Sequence, residues 1–272
     1  MDNRPLLDLL RVKSTREVAA LSGETETFLR VLKASEGIVS PAPSVREFVT
    51  PHIQYDRVIL TSDWHVPYHD PGMILDVIEY ATTHDISTIL ALGDVIDLPT
   101  LSRFDPRDID SHVGMELSAV GDVMYQFFTA GLQVKWYRGN HELRIFRAMK
   151  HQIVMSDLVR LCGAEGYNVR GHEEEDVVLE SGGVRWLLTH PQEYSKMPLT
   201  VPKKLVAKYH MNVATAHGHH YAYGVEGDYE MLELGGLFDP NKLAYLHRGG
   251  ATTFPHQQQG FWVIDNGEVR MP

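Results

Sequence analysis

Cysteine is almost missing from this chain. The single thiol, Cys162, excludes an internal disulfide and any structural zinc held by a cluster of cysteines. That scarcity suits a reducing compartment, and a cytoplasmic location is the expectation. Long apolar runs are also missing, and none approaches the roughly 18 residues that a membrane-spanning helix needs. The N-terminus shows no basic start followed by an apolar stretch, so no secretory signal is expected. Positive charge is in deficit, with 25 Lys and Arg against 36 Asp and Glu and a net charge of −11. That balance argues against a broad basic face for nucleic acid. No internal repeat or low-complexity tract is evident.

Histidine, by contrast, is abundant at 15 residues, and several fall at one kind of place. Val58-Ile59-Leu60 reads as a buried strand, and Ser62-Asp63-Trp64-His65 follows it. Two residues of separation send the Asp63 and His65 side chains to one face. A carboxylate beside an imidazole is a natural ligand pair for a divalent transition metal. The arrangement then recurs. Ile89-Leu90-Ala91-Leu92 leads to Gly93-Asp94, with Asp97 three residues on. Val134 to Tyr137 leads to Gly139-Asn140-His141-Glu142, and Val184 to Leu188 leads to Thr189-His190. Asn212 to Ala216 leads to His217-Gly218-His219. One such histidine would mean little, but five strands that each end in Asp, Asn or His make a pattern.

The order Asp-x-His, Gly-Asp-x-x-Asp, Gly-Asn-His-Glu, His, His-x-His resembles the calcineurin-like metallophosphoesterase superfamily over roughly residues 57–271. The resemblance implies a four-layer α/β/β/α sandwich and two divalent metal ions that hold a bridging hydroxide for attack on a phosphate ester. It implies Asp94 as the bridging carboxylate. Asp63, His65 and one histidine of the last motif would complete one metal site; Asn140, His190 and the other histidine would complete the second. His141 corresponds to the family's catalytic histidine, with Asp97 orienting it. Mixed N and O ligands accept Mn, the first expectation, as well as Fe, Zn, Co or Ni.

The last motif departs from the family's Gly-His-x-His. His217 and His219 keep the spacing with Ala216 in place of glycine, whereas Gly218-His219 would leave Tyr221 at the second histidine. The first alignment puts both imidazoles on one side, as two adjacent metals require. His220 reads as an outer or substrate-facing residue. His69 and the arginines Arg103, Arg138 and Arg144 are further candidates for contact with a phosphate. The tail from Ala222, with Gly235-Gly236 and Gln257-Gln258-Gln259, is similar to phage and prophage metallophosphoesterases.

Organisation follows the same lines. Residues 1–43 read as a small helical region closed by the linker Ser40-Pro41-Ala42-Pro43, and residues 44–272 as the metallophosphoesterase domain. Ser14-Thr15 starts a helix, and Ala19 and Gly23 have the spacing of a helix-turn-helix with Leu29 and Leu32 on its second helix. Plain packing helices fit the same residues. Residues 1–50 carry seven basic and seven acidic side chains, so contact with DNA would need a local patch. In the larger domain, helices are expected over Pro71–His84, Met115–Ala130, Glu142–Lys150 and Ser156–Cys162, and hairpins around Ser181-Gly182-Gly183 and Asp265-Asn266-Gly267. His172 and the acidic run after it read as a solvated loop. The expected substrate is a phosphodiester in nucleic acid or a nucleotide. The alternatives are a small phosphomonoester, or a degenerate domain that only binds DNA. No membrane partner is expected, and the oligomeric state stays open.

Overall fold

A computed structural model describes residues 4–12, 15–36, 50–102, 111–243 and 257–272. Ser14, the linker at 40–43, Arg103, His247 and His256 lie outside the described residues. The chain forms two compact units, residues 1–49 and 50–272. Among the described residues no helix is long and apolar enough to cross a membrane.

The smaller unit holds α1 (Arg4–Val12), α2 (Thr15–Ser22) and α3 (Glu26–Ser35). Leu10, Val18 and Leu29, one from each helix, are fully buried together. Gly23 ends α2 at φ +75°, and its amide reaches back to the Ala19 carbonyl at 3.0 Å. A side chain at that position would be strained, so glycine sets the turn between α2 and α3.

The larger unit begins with β1 (His52–Gln54), β2 (Arg57–Thr61), α4 (Pro71–Thr83), β3 (Thr88–Leu92), α5 (Val113–Thr129) and β4 (Gln133–Tyr137). It continues through α6 (Glu142–Ala148), α7 (Met155–Leu161), β5 (Val169–His172), β6 (Asp176–Ser181), β7 (Val184–Thr189) and α8 (Thr200–Tyr209). The last strands are β8 (Asn212–Thr215), β9 (Tyr221–Glu226), β10 (Tyr229–Leu234), β11 (Trp262–Asp265) and β12 (Glu268–Arg270). One six-stranded sheet runs β1-β6-β7-β8-β10-β9, the other β12-β11-β2-β3-β4-β5.

Continuous apolar strands are explained by burial on both faces. Val58, Leu60, Leu90 and Leu92 pack between the sheets with Trp186, Leu188, Ala214 and Trp262. Ile59, Ile89 and Ala91 point the other way, onto Val77 of α4, Met124 and Phe127 of α5 and Leu158 of α7. On the far side, Val206 of α8 packs with Val178, Leu187 and Val213. The result is four layers: helices, sheet, sheet, helix. Strands β2 to β5 run parallel, as do β7 and β8. Parallel strands in crossover units end on a common edge, where their loops meet.

Three features differ from the sequence expectation. The acidic run after His172 is exposed at Glu173, Glu174 and Asp176, as expected, but it is also anchored: the His172 ring stacks on Tyr137 at 4.6 Å, Glu173 accepts the Met155 amide at the start of α7, and Glu175 pairs with Arg138 at 3.3 Å. β5 is a polar strand that apolar patterning misses. β9 and β10 form a hairpin turning at Gly227, where the sequence reads only as a tail.

Candidate metal centre

The loops that leave the strands are wound tightly. Asp63, His65, Asp94, His217 and His219 all take positive φ, from 50° to 69°. For residues other than glycine this costs on the order of 1 kcal/mol each and needs outside support. Support is present: the Asp63 amide donates to Gly93 O at 3.1 Å, the His65 amide to Asp94 O at 3.0 Å and the His217 amide to Asp63 Oδ2 at 3.0 Å. Glycine precedes Asp94 and Asn140 because the two loops touch. A Cβ on Gly139 would lie 2.4 Å from Asp94 Oδ1, and one on Gly93 would lie 2.6 Å from the Gly139 Cα.

These loops assemble three groups that could hold a metal ion: Asp63 with His65 and His219, Asp94 with His190 and His217, and His65 with Asp97 and His141, the last of them tied together by its own hydrogen bonds. His219 Nε2 lies 3.1 Å from both Asp63 Oδ1 and His65 Nε2. His190 Nε2 lies 3.3 Å from Asp94 Oδ2 and 3.1 Å from Asn140 Oδ1. The far side of three of the four rings is committed elsewhere. His65 Nδ1 donates to Asp97 Oδ1 at 2.7 Å, His190 Nδ1 to Leu92 O at 2.7 Å and His219 Nδ1 to Gln257 Oε1. Such outer contacts turn Nε2 and its lone pair inward, as in metal-ligating histidines. Two inward nitrogens 3.1 Å apart need a proton or a metal ion between them. Asp94 Oδ2 is buried with no hydrogen-bond partner, although its sister oxygen accepts the His141 amide at 2.8 Å. In the metal-free centre the nearest cation to Oδ2 is the His190 imidazolium at 3.3 Å, whose place a metal ion would take. Imidazoles, carboxylates and one amide oxygen fit a divalent transition metal better than calcium or magnesium.

The electrostatics agree with the geometry. Burial alone would raise the Asp63 carboxyl, but His219 pulls it down to about 2. Burial likewise opposes ionisation of Asp94, yet His141 and His190 hold it well below the usual range. Burial pushes His217 down to about 4, helped by His190. His190 goes the other way: burial lowers it, but Asp94 prevails and lifts it to about 10. At neutral pH the metal-free centre therefore holds His190 as the charged imidazolium and His217 as the neutral imidazole. A metal must displace the imidazolium proton, so binding strengthens as pH rises.

Beside the first two groups, His141 Nδ1 lies 2.7 Å from Asp97 O and 2.9 Å from Asp97 Oδ1. Asp97 thus serves two rings, since its carboxylate also holds His65. The Arg144 guanidinium spans the same corner, Nη1 on Asp97 O at 2.6 Å and Nη2 on His141 Nε2 at 2.8 Å. Glu142 has no assigned role in the sequence reading. Its buried carboxylate accepts the amides of Asp94, Gly139 and Val95 at 3.0, 2.8 and 2.9 Å and the Trp136 indole at 3.1 Å. Glu116 holds the loop after Asp97, accepting the Leu98 amide at 2.7 Å. Neither has a sequence signal beyond an acidic residue near the start of a helix.

The other candidates lie elsewhere. The Tyr221 hydroxyl donates to Phe261 O, so among the two alignments of the last motif it is His217 and His219 that reach the metal groups. His220 is buried beside Glu233, which removes the substrate-facing role. His69 bridges to Phe238 in the backbone, and Arg138 is taken up by Glu173 and Glu175.

The fold is similar to an uncharacterized protein from Streptococcus pneumoniae TIGR4 described as a predicted phosphoesterase, at 13% identity over 77% of this chain and 83% of that one, TM-score 0.36. It is similar to Entamoeba histolytica Vps29 complexed with zinc, at 13% identity over 78% and 88%, TM-score 0.41. Chaetomium thermophilum Vps29 matches at 12% identity over 76% and 80%, TM-score 0.42. No curated protein matches the sequence. The likeness of the tail to phage enzymes finds no support among these relatives. The calcineurin-like phosphoesterase family model matches residues 56–250, a span that contains every candidate ligand. The chain belongs to the calcineurin-like phosphoesterase family.

Proposed function

We propose that this chain is a dinuclear metal-dependent phosphoesterase whose substrate is a phosphodiester of nucleic acid or a nucleotide. The observation that carries the reading is the inward set of imidazole nitrogens beside the unpartnered Asp94 Oδ2. Asp63, His65 and His219 would hold one ion, and His190, His217 and Asn140 the other, with Asp94 between them. Mn is the first choice, and Fe, Zn, Co and Ni suit the same donors. When bound, two divalent ions neutralise phosphate oxygens and make water a nucleophile at neutral pH. His141 gives the proton at Nε2 to the leaving-group oxygen as the phosphorus–oxygen bond breaks, and recovers a proton from water. Asp97, fixed on Nδ1, keeps the ring aimed. The α2–turn–α3 arrangement at Gly23 supports a nucleic-acid substrate. The phosphomonoester alternative draws support from Arg144, a cation that a dianion would use. A residue able to ligate a metal stands at each position the family order expects, which counts against a degenerate DNA binder.

The test is hydrolysis by metal-stripped, Mn-reconstituted protein of an aryl phosphodiester, single-stranded DNA and an aryl phosphomonoester. Metal-dependent cleavage of the diester is expected. His141→Ala should lower kcat about 10²- to 10⁴-fold while leaving metal content unchanged. Turnover of the monoester alone would replace the diester reading. No metal-dependent turnover of any of the three would overturn the enzyme.

A further inference from the structure

We propose that Arg144 is the clamp for the substrate's phosphate, and that its bond to His141 Nε2 marks the place a phosphate oxygen takes. This rests on the phosphoesterase reading above and names a residue to which the family motif gives no part.

Three observations carry it. The first is position. One arm of the guanidinium, Nη1, is anchored on Asp97 O at 2.6 Å, and the other, Nη2, reaches His141 Nε2 at 2.8 Å. That ring nitrogen lies 3.7 Å from Asp94 Oδ2, the carboxylate oxygen at the metal centre with no hydrogen bond of its own. Arg144 therefore stands at the rim of the centre, on the side of the proposed proton donor.

The second is unspent capacity. A guanidinium carries five N–H donors and stays charged at any pH the protein meets. The carbonyl and the imidazole use two. Among the described residues no carboxylate lies within ion-pair distance of this half-buried cation. A cation held half out of water beside a site for anions gains most from an anion as partner.

The third is a conflict of donors. While Nη2 donates to Nε2, that nitrogen accepts and has no proton to give. The arm must leave before His141 can serve the leaving group. A phosphate oxygen is a charged acceptor and outcompetes a neutral imidazole for the same N–H. Substrate binding would then move Nη2 from the ring to the phosphate, with Nη1 still anchored on Asp97 O, and leave the Nε2 lone pair free to take a proton from water, the proton it then passes to the leaving group.

The experiment uses the Mn-loaded full chain with R144K, R144Q and R144A, and checks first that each variant keeps the metal content and melting temperature of wild type. Inorganic phosphate binding, followed by calorimetry without any substrate, should weaken about 10- to 100-fold in R144Q and R144A. R144K, which keeps the charge but loses the fork, should fall between them and wild type. The kcat/KM for the aryl phosphodiester should fall by a similar factor, and millimolar guanidinium ion should restore part of it to R144A. Phosphate affinity in R144Q and R144A equal to wild type overturns the clamp while leaving the phosphoesterase reading intact. Wild type that binds no phosphate and turns over no ester overturns both.

Discussion

Asp94→Ala should lower metal-dependent hydrolysis at least about 10³-fold, because the loss of one charged ligand removes several kcal/mol of transition-state stabilisation. Asp94 stands in the group with His190 and His217, and under the proposed function it would serve both ions. Its Oδ2 lies 3.3 Å from His190 Nε2 and 3.7 Å from His141 Nε2, and its Oδ1 holds the His141 amide. The substitution therefore strikes the centre and the backbone of the proton donor together. Asp85→Ala makes the matched control. Asp85 also has positive φ, at 53°, but it is exposed in the turn before β3. Steady-state rates for the two variants should differ by the full factor. Asp94→Ala activity within tenfold of wild type would contradict the bridging role.

The second large effect is on stability. Glu142 lies at the first turn of α6, wholly buried, and its carboxylate gathers backbone amides from two loops and the Trp136 indole. Removing the acceptor leaves several buried donors unpaired, each costing about 1–3 kcal/mol. Glu142→Ala should destabilise the larger unit by about 4 kcal/mol, a drop of roughly 10 °C in Tm for a domain of this size. Glu142→Gln separates the causes. It preserves the volume but turns an NH₂ toward amide donors, so it too should destabilise strongly. Thermal melts in chelator keep metal binding out of the comparison. A loss under 1 kcal/mol in both variants would show that the two loops do not depend on this carboxylate.

The contrast between Asp94 and Glu142 shows what a sequence makes legible. Asp63, His65, Asp94, Asn140, His190, His217 and His219 follow apolar strands at short fixed spacings, so local pattern marks them and the family order assembles them. The two sheets are legible for the same reason, since Val58–Leu60 and Ile89–Leu92 are apolar on both faces. Glu142 is not legible as a structural acceptor, because an acid in the first turn of a helix ordinarily faces water. Gln257 is not either: it reaches His219 across 38 residues, inside a polar run with no period of its own. Asp97 was expected to orient His141, but its second bond, to His65, depends on how two loops cross. The positive φ at five candidate residues has no sequence signal in Asp or His. α8 and the β9–β10 hairpin escaped because Pro202 and Gly224 interrupt the patterns that mark them.

The most direct test of the central claim is a calorimetric titration of Mn into metal-stripped protein, run in buffers of different ionisation enthalpy. Two equivalents per chain are predicted, with net proton release as His190 gives up its proton to the metal. Affinity should rise with pH across the neutral range. Fewer than two equivalents, or binding without proton release at neutral pH, would contradict a dinuclear centre built from these residues.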